Sequence, residues 1–126
     1  MNENMALTES TYYILLALAQ PRHGYGVMQQ TERMSGGRVR LAAGTLYGAL
    51  NSLCEKGWII PVPSTEESRR KEYRLTERGR QALQGELARL RELVRNGESI
   101  WNRRRRHNGK PDGKKNVLSL VVGMGI

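Results

Sequence analysis

"GTLYGALNSLCEKGWI", residues Gly44 to Ile59, carries two different faces on one helical period. Leu46, Ala49, Leu50 and Leu53 recur at spacings of three and four and form an apolar stripe. At about 100° per residue the opposite side collects Gly44, Tyr47, Gly48, Asn51, Ser52 and Glu55. That side is small, polar and almost uncharged. Solvated helix faces usually carry charge, so a neutral face punctuated by glycine asks for a partner that approaches closely.

Working outward, "LTESTYYILLALAQP" reads as a first helix, with Thr8 as its cap, Glu9 in its first turn and Pro21 as its stop. The apolar run from Tyr12 to Ala19 is nearly continuous, which makes this the most completely buried helix. "HGYGVMQQTERMSGG" reads as a short second helix on Val27, Met28, Thr31 and Met34, closed by Gly36 and Gly37. "WIIPVP" and "KEYRL" are β-rich runs, and the polar "STEESRR" between them suits a hairpin connection.

A long helix follows, capped by Thr76. Its Leu83, Leu87, Leu90 and Val94 step by four and three, with Trp101 a heptad beyond Val94. Gly97 interrupts that seam. So narrow a stripe on so long a helix is more easily covered by a second copy than by its own domain.

The chain has 126 residues with 21 Lys plus Arg against 12 Asp plus Glu, a net charge of +9. This balance suits a polyanion such as nucleic acid, or an acidic membrane surface. Residues 1–99 hold fourteen Lys/Arg and eleven acids; "NRRRRHNGKPDGKKN", 102–116, adds seven cations and one acid. The body is thus only mildly basic, and the tail, with its apolar end "VLSLVVGMGI", reads as disordered. Cys54 is the single cysteine and forms no internal disulfide, no apolar run approaches the roughly 18 residues of a membrane span, and the start lacks a secretory pattern, so a cytoplasmic address is expected.

Three helices and then a two-stranded hairpin is the order of a winged helix-turn-helix, whose third helix enters the major groove while the hairpin lies along the backbone. The expected fold is therefore mainly α, of the α+β class: a winged helix-turn-helix domain over 1–75, a C-terminal dimerisation helix over 76–101, and a basic tail with a short apolar terminus over 102–126. On this reading Gly44 and Gly48 remove bulk where the helix meets the groove. Thr45 and Asn51 supply hydrogen-bonding groups, and Asn can pair bidentately with adenine. Arg69, Arg70 and Lys71 on the wing, with Arg38 and Arg40 ahead of the third helix, supply phosphate contacts that carry affinity without reading sequence. Tyr25 and Tyr47 are further candidates for backbone contact.

"GTLYGALNSLCEKGWI" followed by "RRKEYRLTERG", with the first-helix and "HGYG" segments, resembles the PadR-like family of bacterial transcriptional regulators over about residues 7–99. The resemblance implies a homodimeric repressor joined through its last helix, with third helix and wing on a palindromic double-stranded DNA operator and a small-molecule effector or stress signal releasing it. Thr45 and Tyr47 fall on the family's "TLY", with Asn51 one turn on; Arg69, Arg70 and Lys71 fall on its basic wing. Ser52 stands where an arginine is common, and Ala42 and Ala43 stand where a capping residue is expected. The dimer contact is assigned to Leu83, Leu87, Leu90, Val94 and Trp101.

Other readings stay open at this point: a nucleic-acid-coating protein working through its basic tail, or a protein-interaction module. Catalysis has little support, because His23, His107 and Cys54 are scattered without metal-ligand spacing or a nucleophile beside a base. "HGYG" lacks the length and the Lys of a phosphate loop. No cofactor or metal is expected.

Overall fold

The computed structural model describes residues 6–63 and 71–107. Its elements run α1 (Glu9–Ala17), β1 (Arg22–His23), α2 (Gly24–Met34), α3 (Ala43–Glu55), β2 (Ile59–Val62), β3 (Glu72–Leu75) and α4 (Glu77–His107). The chain divides into a compact unit ending at Glu86 and a second beginning at Leu87.

In the first unit, Thr8 caps α1, its hydroxyl accepting from the Thr11 amide at 3.1 Å. Tyr12, Tyr13, Ile14, Leu15 and Ala17 are buried, so α1 is apolar nearly all round, as its unbroken apolar run requires. The helix ends at Ala17, ahead of Pro21. α2 closes in a Schellman turn: the Gly37 amide donates to the Glu32 carbonyl at 2.8 Å and Gly36 to Arg33 at 3.2 Å, with φ of 65° and 86° at the two glycines. α3 ends the same way, Gly57 at φ 77° directing Trp58 N–H to the Leu53 carbonyl at 3.0 Å.

The stripe read from α3 is the heart of the core. Leu46, Leu50 and Leu53 pack with Ile14, Leu15, Leu18, Val27, Ile59, Tyr73 and Leu75. Burying each such side chain stabilises by about 1.5–3 kcal/mol.

The sheet has three strands, not the two of a simple hairpin, in the order β1-β3-β2 and antiparallel throughout. Arg22 pairs with Tyr73 and His23 with Glu72, while Ile59 pairs with Leu75 and Val62 with Glu72. A two-residue strand is too short for any alternation to announce it; only the partner strand defines it. Pro61 is tolerated because β2 lies at the sheet edge.

Thr76 begins α4 as expected. Its hydroxyl accepts from the Gly79 amide at 3.1 Å and donates to the Gly57 carbonyl at 2.6 Å, and its own amide donates to the Trp58 carbonyl at 2.9 Å. One helix start is thereby tied to the end of α3. Further on, the buried Glu86 carboxylate accepts from the Leu7 amide at 3.4 Å. Leu83, read as the first residue of a dimer seam, is partly buried and packs against the unit's own core. The first turns of α4 belong to that unit.

In the second unit α4 continues to His107, so Asn102–His107, assigned to the tail, are helical. Arginine is a good helix former, and cations are favoured at a helix C-terminus. The remaining tail and its apolar end lie outside the described residues. Among the described residues, no helix is long and apolar enough to cross a membrane.

Candidate nucleic-acid interface

α3 turns its apolar stripe inward, and the other side stands in solvent. Gly44, Thr45, Tyr47, Gly48, Asn51, Ser52 and Glu55 are all exposed. Glu55 is the helix's single charged residue. A Cβ at Gly44 or Gly48 would meet nothing within 4 Å among the described residues, so no packing among them calls for glycine at either place. Each costs about 1 kcal/mol of helix propensity relative to alanine. Ala42 offers no side-chain cap, which leaves the first amides of α3 for another acceptor.

Beside this face lies an open cleft of about 650 Å³. Tyr25 from the first turn of α2, Tyr47 and Asn51 from α3, and Lys71 before β3 all line it. Four residues from three sequence segments, each singled out for DNA contact, thus share one concavity. Tyr25 is 58% exposed and Tyr47 45%, far more than a core tyrosine needs. Their hydroxyls, the Asn51 amide and the Lys71 ammonium are all hydrogen-bond donors, as a phosphate or a base edge requires.

His23, Gly24 and Tyr73 complete the lining and were missed in the sequence. His23 Nε2 stands 3.5 Å from Glu72 Oε2 across the β1–β3 pair. Burial pushes the Tyr73 hydroxyl up in pKa, with the negative forms of Cys54 and Tyr47 adding to it, so it stays a neutral donor. Burial likewise pushes the Cys54 thiol up, against the pull of Lys71, which is the opposite of an activated thiolate.

The cations expected on the backbone divide into three groups. Lys71 is exposed at the cleft. Arg69 and Arg70 lie outside the described residues. Arg38 and Arg40 are already engaged: Arg38 pairs with Glu9 of α1, and Arg40 Nε lies 3.4 Å from Glu32 Oε2 of α2. Folding brings these carboxylates alongside, so either arginine would exchange a carboxylate for a phosphate on meeting DNA. Both arginines are more than half exposed, so the pairs are screened and easily exchanged.

On the second unit, Leu87, Leu93, Ile100 and Trp101 are exposed, while Leu90 and Val94 are half-buried. Leu93 and Ile100 sit one position off the four-three step that the sequence shows. Among the described residues, no group of three or more His, Cys, Asp or Glu is placed to hold a metal ion.

Similarity to known proteins agrees with this geometry. The fold matches a PadR family transcription regulator from hypervirulent Clostridium difficile, with a TM-score of 0.62 and 25% identity over 73% of this chain and 96% of that one. It matches a PadR-like transcription factor from Bacteroides fragilis with a TM-score of 0.57 and 27% identity, covering 72% and 87% of the two chains. RosR of H. salinarum is similar at a TM-score of 0.55 and 25% identity, covering 75% and 96%. No curated protein matches the chain in sequence. The model of the transcriptional regulator PadR-like family matches residues 14–85, more than half of the chain. The protein therefore belongs to the PadR-like family of transcriptional regulators, and is a DNA-binding regulator of the winged-helix class.

Proposed function

We propose that this regulator is a repressor that binds an inverted-repeat operator as a homodimer, acting in the cytoplasm where the chromosome lies. The observation that carries the reading is the exposed face of α3: neutral hydrogen-bonding side chains at Thr45, Tyr47, Asn51 and Ser52 set around bare glycines, with Lys71 across the adjoining cleft. A face of this kind admits a duplex closely and distinguishes bases by hydrogen bonds, while the cation supplies attraction to any sequence.

The two roles are separable. Asn51→Ala removes base contacts and is expected to cost about 1–3 kcal/mol on the operator, with little effect on random duplex. Lys71→Ala is expected to weaken all duplexes alike and to lower the salt slope by about one. Equal losses from both variants on operator and random duplex would reject this division.

Pairing is proposed through the exposed residues of the second unit, Leu87, Leu93, Ile100 and Trp101, with Leu90 and Val94 between them. Two-fold pairing then sets two α3 helices into successive major grooves, roughly 34 Å apart. Removing residues 102–126, which carry the seven tail cations, tests the main rival: a coating protein working through its tail loses nearly all binding, whereas a repressor keeps its operator preference.

A further inference from the structure

Gly24 opens α2 and is buried. Its backbone does not need glycine, since among the described residues the left-handed glycines are Gly36, Gly37 and Gly57. What excludes a side chain at this position is Tyr47. A Cβ on residue 24 would overlap the Tyr47 hydroxyl oxygen and lie 2.7 Å from Cζ and 3.0 Å from Cε1 of the ring. Among the described residues, its three nearest heavy atoms all belong to Tyr47.

The group that must give way is the far end of a tyrosine turning about two side-chain bonds, on a residue 45% exposed. An alanine at 24 therefore displaces the ring and leaves the core intact. Gly26, two positions on in the same helix, is the natural contrast: among the described residues its Cβ would find only the Arg22 Cβ, at an ordinary 3.7 Å.

We infer that Gly24 is a positioning residue for DNA binding: the space left by its missing side chain is the seat of the Tyr47 ring, and it holds the hydroxyl in the cleft lined by Asn51 and Lys71. The inference rests on the reading of Tyr47 as a DNA contact. A seated ring keeps one orientation before DNA arrives, so its ordering entropy is not lost on binding. Unseated, the hydroxyl forfeits a bond to a charged phosphate oxygen, worth about tenfold or more in affinity.

The test is a double-mutant cycle on the full chain, with a duplex recovered from a random library by the parent protein. Gly24→Ala and Tyr47→Ala are each expected to weaken binding about tenfold. The double variant should lose no more than Tyr47→Ala alone, and Gly26→Ala should bind as the parent does. With tyrosine rings labelled by carbon-13, the Tyr47 signal, identified by its loss in Tyr47→Phe, should move in Gly24→Ala and stay in place in Gly26→Ala.

If Gly24→Ala binds like the parent while Tyr47→Ala is weakened, the seat is wrong and the DNA contact stands. If Tyr47→Ala binds like the parent, the contact itself fails and the inference falls with it. Additive losses, or a collapse of the Gly24→Ala fold that Tyr47→Ala does not relieve, also overturn it.

Discussion

Replacing Gly79 with alanine probes the joint between the α4 start and the β2 side of the sheet. A Cβ there would overlap the Trp58 carbonyl oxygen, lie 3.0 Å from the Trp58 carbonyl carbon and 3.2 Å from Leu75 Cδ2. Unlike the ring beside Gly24, the first obstacle is backbone, held between the Schellman turn of α3 and the Thr76 amide, which donates to that carbonyl at 2.9 Å. The chain must separate to admit a methyl group. Overpacking of this kind costs about 1–3 kcal/mol, and the strained Thr76–Trp58 hydrogen bond adds about 1 kcal/mol. Helix propensity offsets at most about 1 kcal/mol. The net is a loss of about 2 kcal/mol, which for a unit of this size lowers the melting temperature by roughly 8–16 °C. Thermal unfolding followed by circular dichroism measures it, and amide exchange at Thr76 should quicken in parallel. A Gly79→Ala protein melting within about 2 °C of the parent, or with Thr76 exchange unchanged, would refute the argument from close approach.

Thr76→Val keeps the shape but removes the hydroxyl that accepts from the Gly79 amide and donates to the Gly57 carbonyl; it should cost about 1–2 kcal/mol in urea unfolding. Cys54 should be alkylated by iodoacetamide with a pH midpoint above that of a free thiol, because burial disfavours its thiolate. Lys71→Ala should push that midpoint higher still, since the ammonium pulls the thiol's pKa down. Leu93→Glu with Ile100→Glu places charge on the exposed apolar face of the second unit and should convert a dimer to a monomer in light scattering at unchanged helix content.

What could be read from the sequence was whatever has a local period or a local stop. The Leu46, Leu50 and Leu53 stripe gave the inward face of α3, and with it the outward one; Gly36 and Gly37 marked the end of α2; Thr76 marked the start of α4. What stayed hidden depends on chain segments meeting in space. β1 exists because Arg22 and His23 find Tyr73 and Glu72 from far along the chain. Arg38 meets Glu9 from a distant helix, so its charge could not be assigned to DNA by counting cations. Leu83 fits a heptad as well as it fits a core, so its packing against the core could not be read from its spacing. Within the candidate site, the residue types of Tyr25, Tyr47, Asn51 and Lys71 suit DNA and are legible in the sequence, whereas Gly24 is marked out only by the Tyr47 ring that the fold lays against it.

Sequencing the duplexes that the purified protein retains from a random library, at a salt concentration that suppresses nonspecific binding, tests the central claim most directly. A protein whose paired α3 faces read neighbouring major grooves will enrich an inverted repeat with half-sites about one helical turn apart, and Asn51→Ala will blur defined positions within each half. Retention of unrelated sequences, or a single unrepeated motif from a monomer, would contradict it.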